Sequence, residues 1–424
     1  MSDSLDRFLT EHSQLSRRYF LRYGVAGAAA FTAMNQLQAD VQNRDPALQQ
    51  AIDQLETNLT IPKSFRDVSR GNPKPHTLSE EKRQQVGLTR ETWSLEVISD
   101  PENKARLGNP LTKETGNALN FEALLKLGEK HAVRFSKVMT CLNIRDPLGT
   151  GIWEGVPLRE ILWLTKPRDN IRRVFYNGYH NDDPKQIFKS SLPIDRVLED
   201  PEGLPPVILC YKLNGQWLSP ERGAPVRMVV PESYGFKNVK WLTHIYFSNL
   251  FHANDTYASG NNDIDSRLKT FASTLSFPKE VKPLQPIPIT GYAQAGTAGL
   301  AKVQVWIQKN GESFPQDDQF FTTAPWIDAE ILAAPTSDHW GGSLPDHKIP
   351  PGTIGFDDKT GKPDAWPMPM MKAHWAILLP GLPAGKYTLR CRTIDANGKA
   401  QPMPRPFRKS GHVAIEQKDI VVTA

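Results

Sequence analysis

Cysteine is scarce in this 424-residue chain, with three widely separated residues at Cys141, Cys210 and Cys391. An odd, sparse count excludes a disulfide framework as the source of stability. Charge of one sign is also missing. Lys and Arg number 51 against 46 Asp and Glu, a net charge of +5. No Lys/Arg run and no interleaving of basic with aromatic residues stands out, which argues against nucleic acid as a partner. The apolar stretch Tyr23 to Phe31 is too short, and too rich in Ala and Gly, for a membrane span. The chain is therefore read as not membrane-spanning. It carries no internal repeat.

What the chain does have is length for two domains, 39% hydrophobic residues to build cores, and 35 prolines. Such a proline load suits loops, edge strands and irregular crossings better than long helical bundles. The N-terminus, Ser16-Arg17-Arg18-Tyr19-Phe20-Leu21-Arg22, pairs two arginines with aromatic and aliphatic residues ahead of a weakly apolar stretch. That pattern reads as a twin-arginine export signal over residues 1–39, with cleavage near Ala39. The route carries proteins already folded, and the expected destination is the periplasm. A basic amphipathic helix is the alternative.

Residues 40–91 form an irregular entry segment, with helical spacing of apolar residues over Asp45 to Leu59 and extended chain at Pro73 and Pro75. Residues 92–275 mix short strands and short helices, an α+β domain. Strands are predicted at Trp93–Val97, Val133–Met139, Val174–Tyr176, Val207–Leu213 and Arg227–Val230, and helices at Phe121–Leu127 and Leu158–Leu164. Ser259 to Pro288 reads as a linker. Residues 276–424 then show strands at Lys302–Ile307, His374–Leu379 and Lys386–Ile394, a hairpin signal at Asn310-Gly311 and a turn at Ala396-Asn397-Gly398. Strands at this spacing predict an immunoglobulin-like β-sandwich.

Three blocks carry the chemistry. Cys141 ends the run Val138-Met139-Thr140-Cys141 and is followed by Gly151-Ile152-Trp153-Glu154-Gly155. Some eighty residues on come Arg222-Gly223-Ala224-Pro225-Val226-Arg227 and Gly235-Phe236-Lys237-Asn238-Val239-Lys240-Trp241-Leu242. A thiolate suits a soft or high-valent metal. Spaced cations and backbone N–H groups suit a phosphate-bearing cofactor. Each residue also has a plainer reading: Cys141 as a small core residue like Cys210 and Cys391, Arg227 and Lys240 as surface cations. Gly151, Trp153 and Gly155 are read as structural.

In order and spacing these blocks resemble the sulfite oxidase family of molybdopterin enzymes, over about residues 90–405. Arg222 stands where many members have His. The resemblance implies a Mo-molybdopterin cofactor in residues 92–275, with Cys141 as the molybdenum ligand, and a C-terminal domain through which the chain pairs as a homodimer. It implies that Arg222, Arg227, Asn238, Val239 and Lys240 hold the pterin and phosphate, Arg227 and Lys240 as charge partners, Asn238 and Val239 through backbone groups. Arg70, Asn72 and His180 are looser candidates beside the cofactor or substrate, with a solvated loop and a surface histidine as their alternatives. Tyr257 is the candidate proton relay, or else an edge-strand tyrosine. Arg145 is a further candidate for an oxyanion.

The implied function is a two-electron oxygen-atom transfer on a small oxyanion or S-oxide. The chain has neither a Cys-x-x-Cys-His site nor a cytochrome b5-like haem motif. Electrons are therefore expected to pass to a separate carrier such as a cytochrome c. The alternatives are a periplasmic sulfoxide reductase and a non-enzymatic binding protein that keeps the fold.

Overall fold

The computed structural model describes residues 44–144, 146–258, 263–265, 267–314, 318, 321–336, 338–401 and 414–423. Arg17, Arg18, Ala39 and Arg145 lie outside them. The chain divides after Gln54 into two compact units. In the first, the expected helix over Asp45 to Leu59 is realised only as Pro46–Asp53. Pro46 pre-sets the first turn, and the Asp45 carboxylate caps it by accepting from the Ala47 N–H at 2.8 Å. Leu59 escapes the helical spacing because it belongs to the second unit, where it is fully buried and forms a β-bridge with Gly341.

The second unit is rich in sheet, with few and short helices. A five-stranded sheet runs in the order Leu119–Asn120, Ser94–Ser99, Leu242–Ser248, Arg173–Gly178, Lys189–Pro193. Its Ser94–Ser99 and Leu242–Ser248 strands are parallel. Phe121–His131 and Leu158–Leu164 are the helices predicted there, the first capped by Asn120 accepting from the Ala123 N–H.

A second sheet carries Cys141 at a strand end. Val133–Met139 pairs antiparallel with Gly149–Pro157, which pairs with Ile208–Leu213 and through it with Arg227–Val229. Every residue of Gly149–Pro157 is buried, as befits a central strand covered on both faces. Gly155 leaves room for the Leu209 carbonyl, which a Cβ would strike. The outer edge beside Val133–Met139 is closed by Thr353–Ile354, pairing in parallel from much later in the chain.

The C-terminal strands form one eight-stranded path, in which Ile327–Ile331 pairs on one side with Lys302–Lys309 and on the other with Lys372–Leu379. Ile289, Trp375, Val305, Leu389 and Ile420 share one core. Two expectations are corrected. Residues 259–288 are not merely a linker, because Phe271–Ser276 pairs with Ile287–Gln294 and buries Phe271, Ala272 and Ser273. Asn310-Gly311 makes a turn but no tight hairpin. Lys302–Lys309 waits until Ile327–Ile331 for its partner on that side, and the intervening chain lays Phe314 and Phe321 against Trp306.

Candidate active site

The Cys141 strand, the two basic blocks and the entry segment meet at one cavity. Its walls include Cys141, Arg222, Arg227, Asn238, Val239, Lys240, His180, Tyr257 and Arg70. Asn72 is not among them. It is exposed, and its N–H donates to Gln186 Oε1 at 3.0 Å, so the structure separates it from the other candidates.

Cys141 is half-buried at the cavity wall, while Cys210 and Cys391 are fully buried in hydrophobic clusters. Burial pushes the Cys210 thiol up to about 12, which fits an inert core residue. The difference in exposure singles out Cys141 as the thiol that can meet a ligand.

Arg227 is 4% exposed, and its two Nη atoms donate to the Arg222 carbonyl at 3.0 Å and the Asn238 carbonyl at 2.8 Å. Its guanidinium lies 5.1 Å over the Trp153 ring. Trp153 therefore both fills the core and forms the floor under a cation, a role that its sequence context does not reveal. Burial lowers the Arg227 pKa to about 10. Arg222 Nε and Nη2 and Arg227 Nε are buried without a hydrogen bond among the described residues, although Arg222 Nη2 lies 3.1 Å from Glu221 Oε2. Orphaned donors on buried cations cost roughly 1–3 kcal/mol each unless something accepts from them. An anion in the cavity would.

Gly223, at φ +100°, ends the short helix Pro220–Arg222 in a left-handed conformation. A Cβ there would lie 2.9 Å from that of Lys240, so glycine lets the two basic blocks touch. Lys240 Nζ donates to Asp67 Oδ1 at 3.1 Å, to Ser69 Oγ at 2.7 Å and to the Glu221 carbonyl at 2.8 Å. Burial, and then the charge of Arg227, lower its pKa to about 7. Asp67 is held below the usual carboxylate range. Burial alone would raise it, but hydrogen bonds from Ser69 and Lys74 and the charge of Lys240 outweigh that.

Asn238 differs from its expected role. Its N–H donates to the Gly235 carbonyl and its carbonyl accepts from Arg227. Its side chain staples the loop, accepting from Val230 N–H and donating to the Tyr234 and Ser233 carbonyls. Val239 likewise gives its carbonyl to Met228 N–H. Both residues shape the wall, and their carbonyls and the Asn238 N–H are taken up inside the protein.

His180 is buried at 5% exposure, not a surface residue. Its Nδ1 donates to the Gly178 carbonyl at 2.9 Å, which leaves Nε2 as an acceptor. Burial lowers its pKa, which favours the neutral ring. Tyr257 stacks on Phe236 with centroids 4.6 Å apart, and its Oη accepts from Asn143 Nδ2 at 2.9 Å. Arg70 sits 4.6 Å over the Phe188 ring and has no carboxylate partner among the described residues. The entry segment supplies more of the wall than expected: Phe65, Arg66, Val68 and Ser69 also face the cavity. Those residues follow no recognisable motif. Only Arg70 hinted at them.

The oxidoreductase molybdopterin binding domain family matches residues 87–255. These residues are thus similar to the molybdopterin-binding domains of oxidoreductases. Mitochondrial sulfite oxidase of Drosophila melanogaster is 31% identical over 144 residues, 34% of this chain and 24% of that one. NADPH nitrate reductase of Beauveria bassiana is 25% identical over 227 residues, 46% of this chain and 24% of that one. The chain thus spans about a quarter of the length of these relatives. The sulfane dehydrogenase SoxCD of Paracoccus pantotrophus shares the fold, with a TM-score of 0.53 at 16% identity over 80% of this chain and 79% of that one. Cys141, Arg222, Arg227 and Lys240 fall inside the matched family range, whereas Arg70 and Tyr257 lie outside it yet reach the same cavity. The cofactor that such a domain binds is Mo-molybdopterin. The cavity suits it: a half-exposed thiol stands beside buried cations with unsatisfied donors.

Proposed function

We propose that the chain is a molybdenum-dependent oxidoreductase that moves an oxygen atom and two electrons to or from a small oxyanion or S-oxide. The observation that carries this is the convergence of Cys141 with Arg222, Arg227 and Lys240 on one cavity. When bound, the cofactor supplies the two-electron chemistry at its metal. The protein's share is grip, orientation and proton handling. Cys141 Sγ is the metal's thiolate. Arg222, whose Nε has no hydrogen-bond partner among the described residues, would hold the anionic cofactor, and Arg227 props the two basic blocks together. Lys240 contributes charge from the Asp67 side. Arg70, with no carboxylate partner among the described residues, steers an anionic substrate, and Tyr257 Oη, held by Asn143, passes or holds a proton at the reacting oxygen.

The rest of the reading follows the same family logic. Residues 276–424 are proposed as an immunoglobulin-like module that pairs two chains. Export through the twin-arginine route to the periplasm fits a cofactor inserted before transport. A separate carrier such as a cytochrome c exchanges the electrons. Among the described residues no helix is long and apolar enough to cross a membrane.

The test is metal analysis of the purified protein and of Cys141→Ser, followed by a screen of sulfite, thiosulfate, sulfoxides and N-oxides with artificial electron carriers. About one molybdenum per chain, lost in the serine variant, and turnover of one of these substrates are expected. Full metal retention in Cys141→Ser would remove Cys141 as the ligand. An absence of metal in the wild type would leave the binding-protein alternative.

A further inference from the structure

The segment that presents Cys141 is held on both sides by the C-terminal half of the chain. On the strand before it, Val138 N–H donates to the Met370 carbonyl at 2.7 Å, and Thr353–Ile354 adds an edge strand next to Arg134 and Phe135. After it, Tyr292 Oη donates to Asp146 Oδ1 at 3.3 Å. Directly before the cysteine, the hydroxyl of Thr140 donates to Gln294 Oε1. Gln294 closes the last full strand pairing of Ile287–Gln294, and its Nε2 donates to the Lys269 carbonyl at 2.9 Å. Thr140 is 1% exposed and Gln294 0%.

Thr140 is tied a second time. Its carbonyl accepts from Gly235 N–H at 2.7 Å. Gly235 opens the block that contains Lys240. Thr140 therefore joins three things: the strand that delivers the thiol, the turn behind the basic block, and the C-terminal sheet. The amide of Gln294 has one orientation that satisfies both neighbours. Nε2 must face the Lys269 carbonyl, because reversal would set Oε1 against it, two acceptors with no hydrogen between them, and that leaves Oε1 to accept from the hydroxyl. A fully satisfied buried network of this kind fixes geometry, and a broken one leaves an unpaired hydroxyl in a water-free place.

We propose that Gln294 is a positioning residue for Cys141: through Thr140 it sets the peptide next to the cysteine, so the C-terminal sheet tunes the metal's thiolate. The inference rests on the reading of Cys141 as that thiolate. It makes the C-terminal half part of the redox centre's outer scaffold, as hydrogen-bonded partners behind ligands are at other metal sites.

The test compares wild-type, Thr140→Val, Gln294→Leu, Thr140→Ser and the Val/Leu double variant as metal-loaded full-length protein, with Cys141→Ser, expected to lose the metal, taken through the same loading as the control. Each is reduced partway with dithionite. The readouts are the electron paramagnetic resonance signal of the half-reduced metal and its midpoint potential. Thr140→Val and Gln294→Leu are expected to keep the metal but to shift the g-values and the potential. Thr140→Ser should restore both, and the double variant should go no further than the singles, as coupled partners do. Wild-type signals in Thr140→Val and Gln294→Leu, whatever their melting temperatures, would overturn the proposal. If those variants do not accumulate folded, Gln294→Asn, which keeps the amide but withdraws it by one methylene, is read the same way. An unchanged signal in Cys141→Ser would instead overturn the ligand assignment, and the positioning role with it. A signal lost or altered in Cys141→Ser but unaltered at Thr140 and Gln294 removes the positioning role alone.

Discussion

Lys240 Nζ stands 3.1 Å from Asp67 Oδ1, which ties the cation of the second basic block to the entry segment some 170 residues earlier. The pairing is buried enough that desolvation governs the lysine, whose pKa falls from 10.5 to about 7. Between these values the unfolded chain binds a proton that the folded one does not. The stability contributed by this site is therefore greatest above the unfolded value and declines as pH falls toward 7.

An anion in the cavity reverses the balance by favouring the charged lysine. Binding of the phosphate-bearing cofactor to apo-protein should take up a proton above pH 7 and weaken as pH rises, by up to about tenfold per pH unit. Calorimetry in buffers of different ionisation enthalpy reads the proton directly. Lys240→Arg, permanently charged, should flatten the dependence. A flat wild-type profile between pH 7 and 9 would place the phosphate away from Lys240.

Arg227 and Lys240 look alike as cations in the sequence, and the structure separates them. Arg227 joins the Arg222 and Asn238 carbonyls across the gap between the two blocks. Arg227→Ala should destabilise the apo-protein by roughly 3 kcal/mol, about the value of its charge-assisted hydrogen bonds. Lys240→Ala should weaken cofactor retention with a much smaller change in apo stability, because the desolvation of the lysine offsets much of what its contacts supply. Urea unfolding of both apo-variants decides it. Equal destabilisation would make the two cations equivalent after all.

Much of this was legible because pattern and packing agree locally. Val133–Met139 and Leu158–Leu164 begin and end where their sequence pattern says: the helix buries one face through Leu158, Ile161 and Leu162, and the strand is covered on both faces from Phe135 to Met139. The convergence of Cys141, Arg222, Arg227 and Lys240 was legible through the spacing of the blocks. What was hidden depended on distant partners. Phe65 and Trp153 reach the cavity because they pack edge to face at 5.9 Å, a contact between segments that neither one announces. Leu59 fits a helical spacing, but its bridge to Gly341 overrides it. Asn72 lay two residues from Arg70, and an irregular loop gives no period by which to tell which side chain faces inward.

The proposed export rests on Arg17 and Arg18, outside the described residues. Replacing both by Lys should leave folded, cofactor-loaded protein in the cytoplasm, because the route reads the arginine pair and not charge alone. Cell fractionation with metal analysis of each fraction checks it. Unchanged export of the double variant would return the segment to the amphipathic-helix reading.

Tyr257 is the sharpest probe of the chemistry. Its ring is fixed by stacking on Phe236 and by an edge contact with Phe188 at 5.7 Å, and its hydroxyl is oriented by Asn143. Removing the hydroxyl leaves the ring contacts in place, so Tyr257→Phe should fold and hold molybdenum as the wild type does. Turnover should fall by roughly 10²- to 10⁴-fold if the hydroxyl relays a proton. Asn143→Ala, which frees the hydroxyl but keeps it, should give a smaller loss. The ordering separates the roles: a proton relay predicts that Tyr257→Phe is the more damaging change, whereas a tyrosine that only braces the Cys141 loop through Asn143 predicts equal effects. Wild-type turnover in Tyr257→Phe, on whichever substrate the screen finds, would return the residue to the packing of Phe188 and Phe236.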